Sequence, residues 1–220
     1  MKYGLDEYVL FPPFSLIFSI LLIIGVYQFG NIINKNLKFD IVLKKFSHTP
    51  LVNLLIGLYF LGYTLFFLSL IGVAFKIVFQ IIGFLLIILA LYQVFKIKIL
   101  LSKLIHNLKL SIKNLYLLIV IIILFLYFII SSSPITNADA LDYHTAVPIY
   151  ILNTGSFPSD WSWFHARQAG TGELLIALGL SIGAEQFGNL SQFSGLIALV
   201  SFFLYLGNRK NNKDNIVELI

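Results

Sequence analysis

Charged residues are spaced along this chain so that five long stretches contain none. Residues 8–34, 46–75, 77–95, 114–138 and 186–208 lack Asp, Glu, Lys and Arg. Each has an apolar core, such as FSLIFSILLIIGVYQF in the first and LYLLIVIIILFLYFII in the fourth. A helix needs roughly 20 apolar residues to cross about 30 Å of hydrocarbon, so the pattern predicts a transmembrane helix in each. Pro12 and Pro13 suit the start of the first helix rather than its middle. One further apolar piece, residues 174–184 (LLIALGLSIGA), lies between Glu173 and Glu185. As a helix it covers about 16 Å, too short to span, and it is expected to be interfacial or re-entrant.

Composition agrees with this pattern. Charged residues make up only 11% of the chain and mean hydropathy is +0.92, whereas a soluble domain carries about 25% charged residues. An ordinary solvated surface and a disordered chain are both excluded. The absence of Cys removes disulfides, thiolate zinc sites and cysteine nucleophiles together. Asp6 and Glu7 stand where a signal peptide needs basic residues, and no small-residue cleavage site follows. The first segment is therefore expected to be a retained span.

The net charge of +5 does not point to nucleic acid, because the positive residues are sorted by loop. Lys35, Lys38, Lys44 and Lys45 follow the first span; Lys96, Lys98, Lys103, Lys109 and Lys113 follow the third; Arg209, Lys210 and Lys213 follow the fifth. Basic loops stay in the cytoplasm. The N-terminus, the tight turn at Lys76 and the loop 131–186 then fall on the opposite side. That loop carries Asp139, Asp142, Asp160, Glu173 and Glu185 against Arg167 alone. Leu100, Leu101, Leu104, Ile105, Leu108 and Ile112 recur at helical spacing among the lysines of 96–114. This segment reads equally as a basic amphipathic helix on the cytoplasmic leaflet or as a solvated linker helix. His48 and His106 lie in basic loops with no metal partner nearby.

The expected fold is an all-α integral membrane protein of about five transmembrane helices, with an extracytoplasmic loop carrying short surface helices. Its expected organisation is three spans over 1–95, the basic segment 96–114, a span–loop–span unit over 115–207, and a polar cytoplasmic tail over 208–220. Membrane lipids are the expected surroundings.

Pumps, proton relays and ion channels place charges or broken helices at the bilayer midplane, and charge-free spans argue against them. The polar content concentrates in the outer loop instead. There Asn137 is expected to cap a helix with Asp139 and Asp142 near its start. Asp142, Tyr143, Ala146 and Tyr150 lie near the Asp139 face, and Leu141, Pro148 and Leu152 lie away from it. Asn153-Thr154-Gly155 is the expected stop, with Pro158 beyond. Read on physical grounds alone, the two Asp residues serve either to complement a helix dipole or to do chemistry. Trp161, Trp163 and Phe164 read as interface aromatics, with sugar stacking as the alternative.

The string NADALDYHTAVPIYILNTGSFP just outside a span resembles the first extracytoplasmic loop of GT-C glycosyltransferases, the protein mannosyltransferase-like enzymes that use polyprenyl-phosphate sugars. Asp139 and Tyr143 match the family's acid-and-aromatic spacing, and D-A-L-x-Y-H, Asp139 to His144, is similar to a variant of bacterial members. FHARQAGTGELLIALGLSIGAEQFGNLSQFSGLIALVSFFLYLGNRK resembles the family's continuation, with Glu173 opening a second surface helix over 174–184. The resemblance covers about residues 115–210. Asn137 stands where many relatives have an acidic residue, and such enzymes continue through further spans, so a downstream-encoded membrane partner is expected.

The resemblance implies an inverting sugar transfer at the outer face of a bacterial inner membrane. Asp139 would act as general base on the acceptor hydroxyl, with Asp142 as the substitute one turn on. Arg167 would hold the lipid phosphate, and Tyr143, His144, His165 and Glu173 would contact substrate. Asp139, Asp142, His144 and His165 are also candidates for a divalent metal, which is the one possible cofactor. Two classes stay open: a GT-C-like glycosyltransferase or its N-terminal part, and a non-catalytic membrane subunit or lipid-binding remnant of that fold. Further spans encoded directly downstream distinguish them.

Overall fold

The computed structural model describes residues 5–37, 50–111, 115–136, 143–159 and 170–211. Among them are seven α-helices, a 3-10 turn at Leu5–Tyr8 and no strand. The helices are α1 (Phe14–Leu37), α2 (Pro50–Leu70), α3 (Lys76–Ser111), α4 (Leu115–Ser131), α5 (Ala146–Thr154), α6 (Thr171–Ser181) and α7 (Phe187–Asn211). By length and composition, α1, Val52–Leu70 of α2 and Lys76–Gln93 of α3 suffice to cross a membrane. Leu118–Ser131 in α4 and Phe187–Val200 in α7 are shorter apolar runs.

Helix α1 is the centre of the bundle and packs against α2, α3 and α7. It approaches its neighbours so closely because glycine stands at the crossing points. A methyl group at Gly25 would overlap the Leu86 backbone, one at Gly30 the Asn53 carbonyl, and one at Gly57 the Val26 carbonyl. Lipid tails are as apolar as leucine, so close backbone packing of this kind is a main source of helix association in a bilayer. Leu22, Val26, Leu61, Leu65, Phe79 and Leu86 fill the space between the three helices. Helices α2 and α3 are joined by a tight turn in which Gly72 takes a φ of 75°, and Val73 N–H donates to Leu68 O at 3.0 Å.

Helix α3 runs unbroken for 36 residues. The expected division at residue 95 into a span and a separate basic segment does not appear as a break in the helix. No Gly or Pro lies between Phe84 and Ser111 to interrupt it.

The two short helices are not laid on a surface. In α5, Val147, Pro148, Ile149, Ile151 and Leu152 are buried, and it packs on α6. Helix α6 is wedged among α2, α3, α5 and α7, with every residue from Ala177 to Gly188 buried. Its first turn touches α2 at Gly62 and its last touches α3 at Gly83, each about two turns from the α2–α3 connection. The chain then reverses through Gly183, whose φ is 82°. It returns as α7 beside α6, with Gly188 against Ile176. Residues 174–184 thus form most of α6 and the turn after it, packed inside the bundle.

Several hydrogen bonds fasten one end of the bundle. Tyr8 donates to Asn153 Oδ1 at 2.9 Å, and the Lys76 ammonium sits 4.3 Å from the centre of the Tyr8 ring. Leu10 N–H reaches Gly183 O at 3.1 Å, and Ala74 N–H reaches Gly155 O at 2.9 Å. The segment Tyr8–Leu10, the Lys76 turn, α5 and the α6–α7 turn thus share that end.

Candidate functional site

The site is built where α5 and α6 begin. Tyr143, His144 and Thr145 form a turn leading into α5, fixed by Val147 N–H donating to Tyr143 O at 3.2 Å and Ile149 N–H to Thr145 O at 3.0 Å. The helix starts at Ala146, so Pro148 falls in its first turn, where its missing N–H costs nothing. The helix expected from Asn137 is therefore not continuous through residues 143–145. The stop at Gly155 is as expected: this residue has a φ of 79° and donates to Ile151 O at 2.7 Å.

On the other side, Gly170 is extended and caps α6. Glu173, three residues on, folds back so that its Oε2 accepts the Gly170 N–H at 2.8 Å. This satisfies one of the donors every helix start leaves free, and the helix dipole favours negative charge there. Its other oxygen, Oε1, lies 3.2 Å from His144 Nδ1. A carboxylate only accepts, so Nδ1 is the donor in this contact. The Glu173 side chain is 10% exposed and that of His144 is 42% exposed. The carboxylate is thus the buried partner of the pair and the imidazole the more accessible one. Tyr143 is buried with its ring 4.5 Å from the imidazole.

His144 and Glu173 are two of the seven residues singled out from the sequence, and they meet across 29 positions. Tyr143 joins them through its ring. Asp139, Asp142, His165 and Arg167 lie outside the described residues, as do Trp161, Trp163 and Phe164. Among the described residues no group of three or more His, Asp or Glu is placed to hold a metal.

An open, mostly apolar cavity of about 840 Å³ runs along α2. It is lined by Leu55, Tyr59, Gly62 and Tyr63 and closed by Thr171 and Leu175 of α6. Thr171 and Leu175 lie four residues apart on one face of α6, and Glu173 between them faces the other way.

A second polar feature was not anticipated from the sequence. At the opposite end of α1, Asn34 Nδ2 donates to Asn53 Oδ1 at 2.9 Å. Asn53 Nδ2 reaches Asn31 Oδ1 at 3.5 Å, and Asn31 Nδ2 reaches Gln28 Oε1 at 3.3 Å. Asn34 Oδ1 is buried without a partner among the described residues. A search for charged residues passes over amides, yet Gln28, Asn31 and Asn34 at three-residue spacing mark one face of α1.

Residues 1–111 and 91–219 match a family profile described as the DUF1420 N-terminal domain. No curated protein matches the chain, and no solved structure does. The two matched stretches together take in nearly the whole sequence, and the chain belongs to the DUF1420 N-terminal domain family.

Proposed function

We propose that this chain is a GT-C-like glycosyltransferase, or its N-terminal part, that takes a sugar from a polyprenyl phosphate at the outer face of a bacterial inner membrane. The observation that supports this best is the His144–Glu173 contact at 3.2 Å. Two residues that the loop resemblance singles out, one in the turn before α5 and one in α6, form a buried carboxylate and an accessible imidazole. The 840 Å³ groove along α2, closed by Thr171 and Leu175, suits an apolar polyprenyl chain.

In this reading five helices span: α1, α2, the first part of α3, α4 and α7. Loop 131–186 faces outward, with α6 dipping back into the bilayer. The acceptor oxygen attacks the anomeric carbon while the bond from that carbon to the phosphate oxygen breaks. The polyprenyl phosphate leaves with the electron pair, and Asp139 takes the acceptor proton. Arg167 neutralises the leaving phosphate. Glu173 orients His144, whose Nε2 is left to bind a sugar or acceptor hydroxyl.

One fact favours a second reading, a non-catalytic membrane subunit. The family is described as an N-terminal domain, so a catalytic complement belongs to further chain or to a downstream-encoded partner. The test is transfer of labelled sugar from a polyprenyl-phosphate donor in membranes containing this chain and any such partner. Transfer by the parent and its loss in Asp139→Asn support the enzyme. Absence of transfer with the partner present leaves the subunit reading.

A further inference from the structure

Glu185 is a buried carboxylate that the site does not use. It stands in the turn between α6 and α7 and is 7% exposed. One oxygen, Oε1, accepts the Ile135 N–H at 2.7 Å. The other has no hydrogen-bond partner among the described residues, and no described cation pairs with the group. Lys76, a cation at that end of the bundle, lies over the Tyr8 ring instead. Ser15 and Gln186, buried beside the turn, are neutral and bond to each other and to the Glu185 N–H.

A second unused oxygen lies close by in the chain. Three residues before Ile135, Ser132 has a buried hydroxyl oxygen with no hydrogen-bond partner. The neighbouring Ser133 hydroxyl donates to Ile129 O at 3.0 Å, so helix carbonyls are within reach there and the Ser132 hydroxyl takes none of them.

The electrostatics of this corner are one-sided. Ser132 directly follows the end of α4, where aligned carbonyls give a helix its negative pole and cations are the favoured neighbours. A carboxylate bonded beside that pole deepens the negative potential, and burial removes the water that would screen it. The N-terminus of α7 begins two residues after Glu185, yet none of its N–H groups bonds the carboxylate among the described residues. Arg167 is three residues from Gly170, at the far end of α6. That helix is about 16 Å long and three residues reach about 10 Å, so the backbone at 167 stops short of Glu185.

A carboxylate and a hydroxyl offer oxygen alone, which suits hard cations rather than zinc or copper. We propose that Glu185 and Ser132 hold a hard metal cation, of the class of Na⁺, Mg²⁺ and Ca²⁺, that ties the end of α4 to the α6–α7 turn. This does not depend on the chain being a transferase.

The test is thermal unfolding of the whole chain in detergent, in choline chloride and then with Na⁺, Mg²⁺ or Ca²⁺ at equal ionic strength. At least one of these cations should raise the melting temperature saturably, by about 3–5 °C at roughly ten times its dissociation constant. Which one does so separates a monovalent from a divalent occupant. Glu185→Gln, whose side-chain oxygen still accepts the Ile135 N–H, should remove the response. Ser132→Ala should leave the melt in choline unchanged, since this hydroxyl makes no bond in the fold, and should weaken cation binding about tenfold. Asp139→Asn should keep the response, which sets this site apart from the loop carboxylates. No response to any cation, or a response that survives Glu185→Gln, would overturn the proposal. So would Arg167→Gln lowering the melt as much as Glu185→Gln with no cation effect, which gives the carboxylate to that guanidinium.

Discussion

Ser15, in the first turn of α1, donates its hydroxyl hydrogen to Gln186 Oε1 at 2.7 Å and accepts the backbone N–H of Glu185 at 2.9 Å. Glu185 in turn accepts the N–H of Ile135 at 2.7 Å. The Ser15 hydroxyl therefore links the first helix to the α6–α7 turn, and Glu185 links that turn to the segment after α4. Ser15→Ala leaves a buried N–H and a buried amide oxygen without that partner, at a cost of about 2 kcal/mol. The expected result is a lower melting temperature in detergent and faster proteolysis near the 182–186 turn. An unchanged melt would mean the clamp is replaced by water.

Two glycines should behave in opposite ways. Gly30→Ala forces apart α1 and α2 where the added carbon meets the Asn53 carbonyl, and the expected loss is about 1–3 kcal/mol. Gly172 is exposed in the first turn of α6, with nothing within 4 Å of an added carbon. Gly172→Ala should be neutral or stabilising by up to about 1 kcal/mol. Thermal unfolding of the two variants in the same detergent checks both signs.

Asn53→Leu breaks the middle of the amide ladder. Asn34 Nδ2 and Asn31 Oδ1 both lose their partners, and a loss of about 1–2 kcal/mol is expected. Asn53→Gln keeps donor and acceptor and should recover part of it. Equal stability of the Leu and Gln variants would show that the ladder contributes packing alone.

Glu173→Gln separates the two tasks of this side chain. Glutamine still accepts the Gly170 N–H, as capping boxes allow, so α6 should form normally by circular dichroism. The imidazole loses its charged partner, and sugar transfer should fall by roughly 10²-fold or more. His144→Ala should produce a similar loss, and the double variant little more than either single one. Additive losses would show that the two residues act independently.

Membrane sidedness follows from which positions share an end. Single cysteines at Ser133 and Ser159, both exposed, should react with an impermeant maleimide on intact cells. A cysteine at Asn36, exposed at the far end of α1, should react only after permeabilisation. The reverse pattern would turn the protein over.

Helices α1, α2 and the first part of α3 were readable from charge spacing, because a charge-free run long enough to cross hydrocarbon has few other uses; the described apolar runs in α4 and α7 are shorter. The turn signals were equally direct: Gly155 ends α5 in the left-handed region, where its lack of a Cβ removes the penalty. The burial of α5 and α6 was not readable, since a short apolar helix has the same composition on an interface as inside a bundle. The small residues Ala177, Gly179 and Ser181 in α6 were the available hint, because they let other backbones approach. Of the site, His144 and Glu173 were each singled out, but nothing local couples residues 29 apart. Their meeting depends on how α5 and α6 pack. The amide ladder was missed because Asn and Gln pass a filter built on charge.

The clamp at Ser15 also sets an order of events during synthesis. Its partner Gln186 is 171 residues further along the chain, which at about 5–20 residues per second is a wait of roughly 10–30 s. Throughout that interval α1 can pair with α2 and α3, but one of its buried hydroxyls faces an empty seat. The α6–α7 hairpin is made after α1 to α5 and packs among helices already in place. Quality control in the membrane thus has a window in which the seat at Ser15 is unfilled, and it closes when Gln186 and Glu185 reach that hydroxyl.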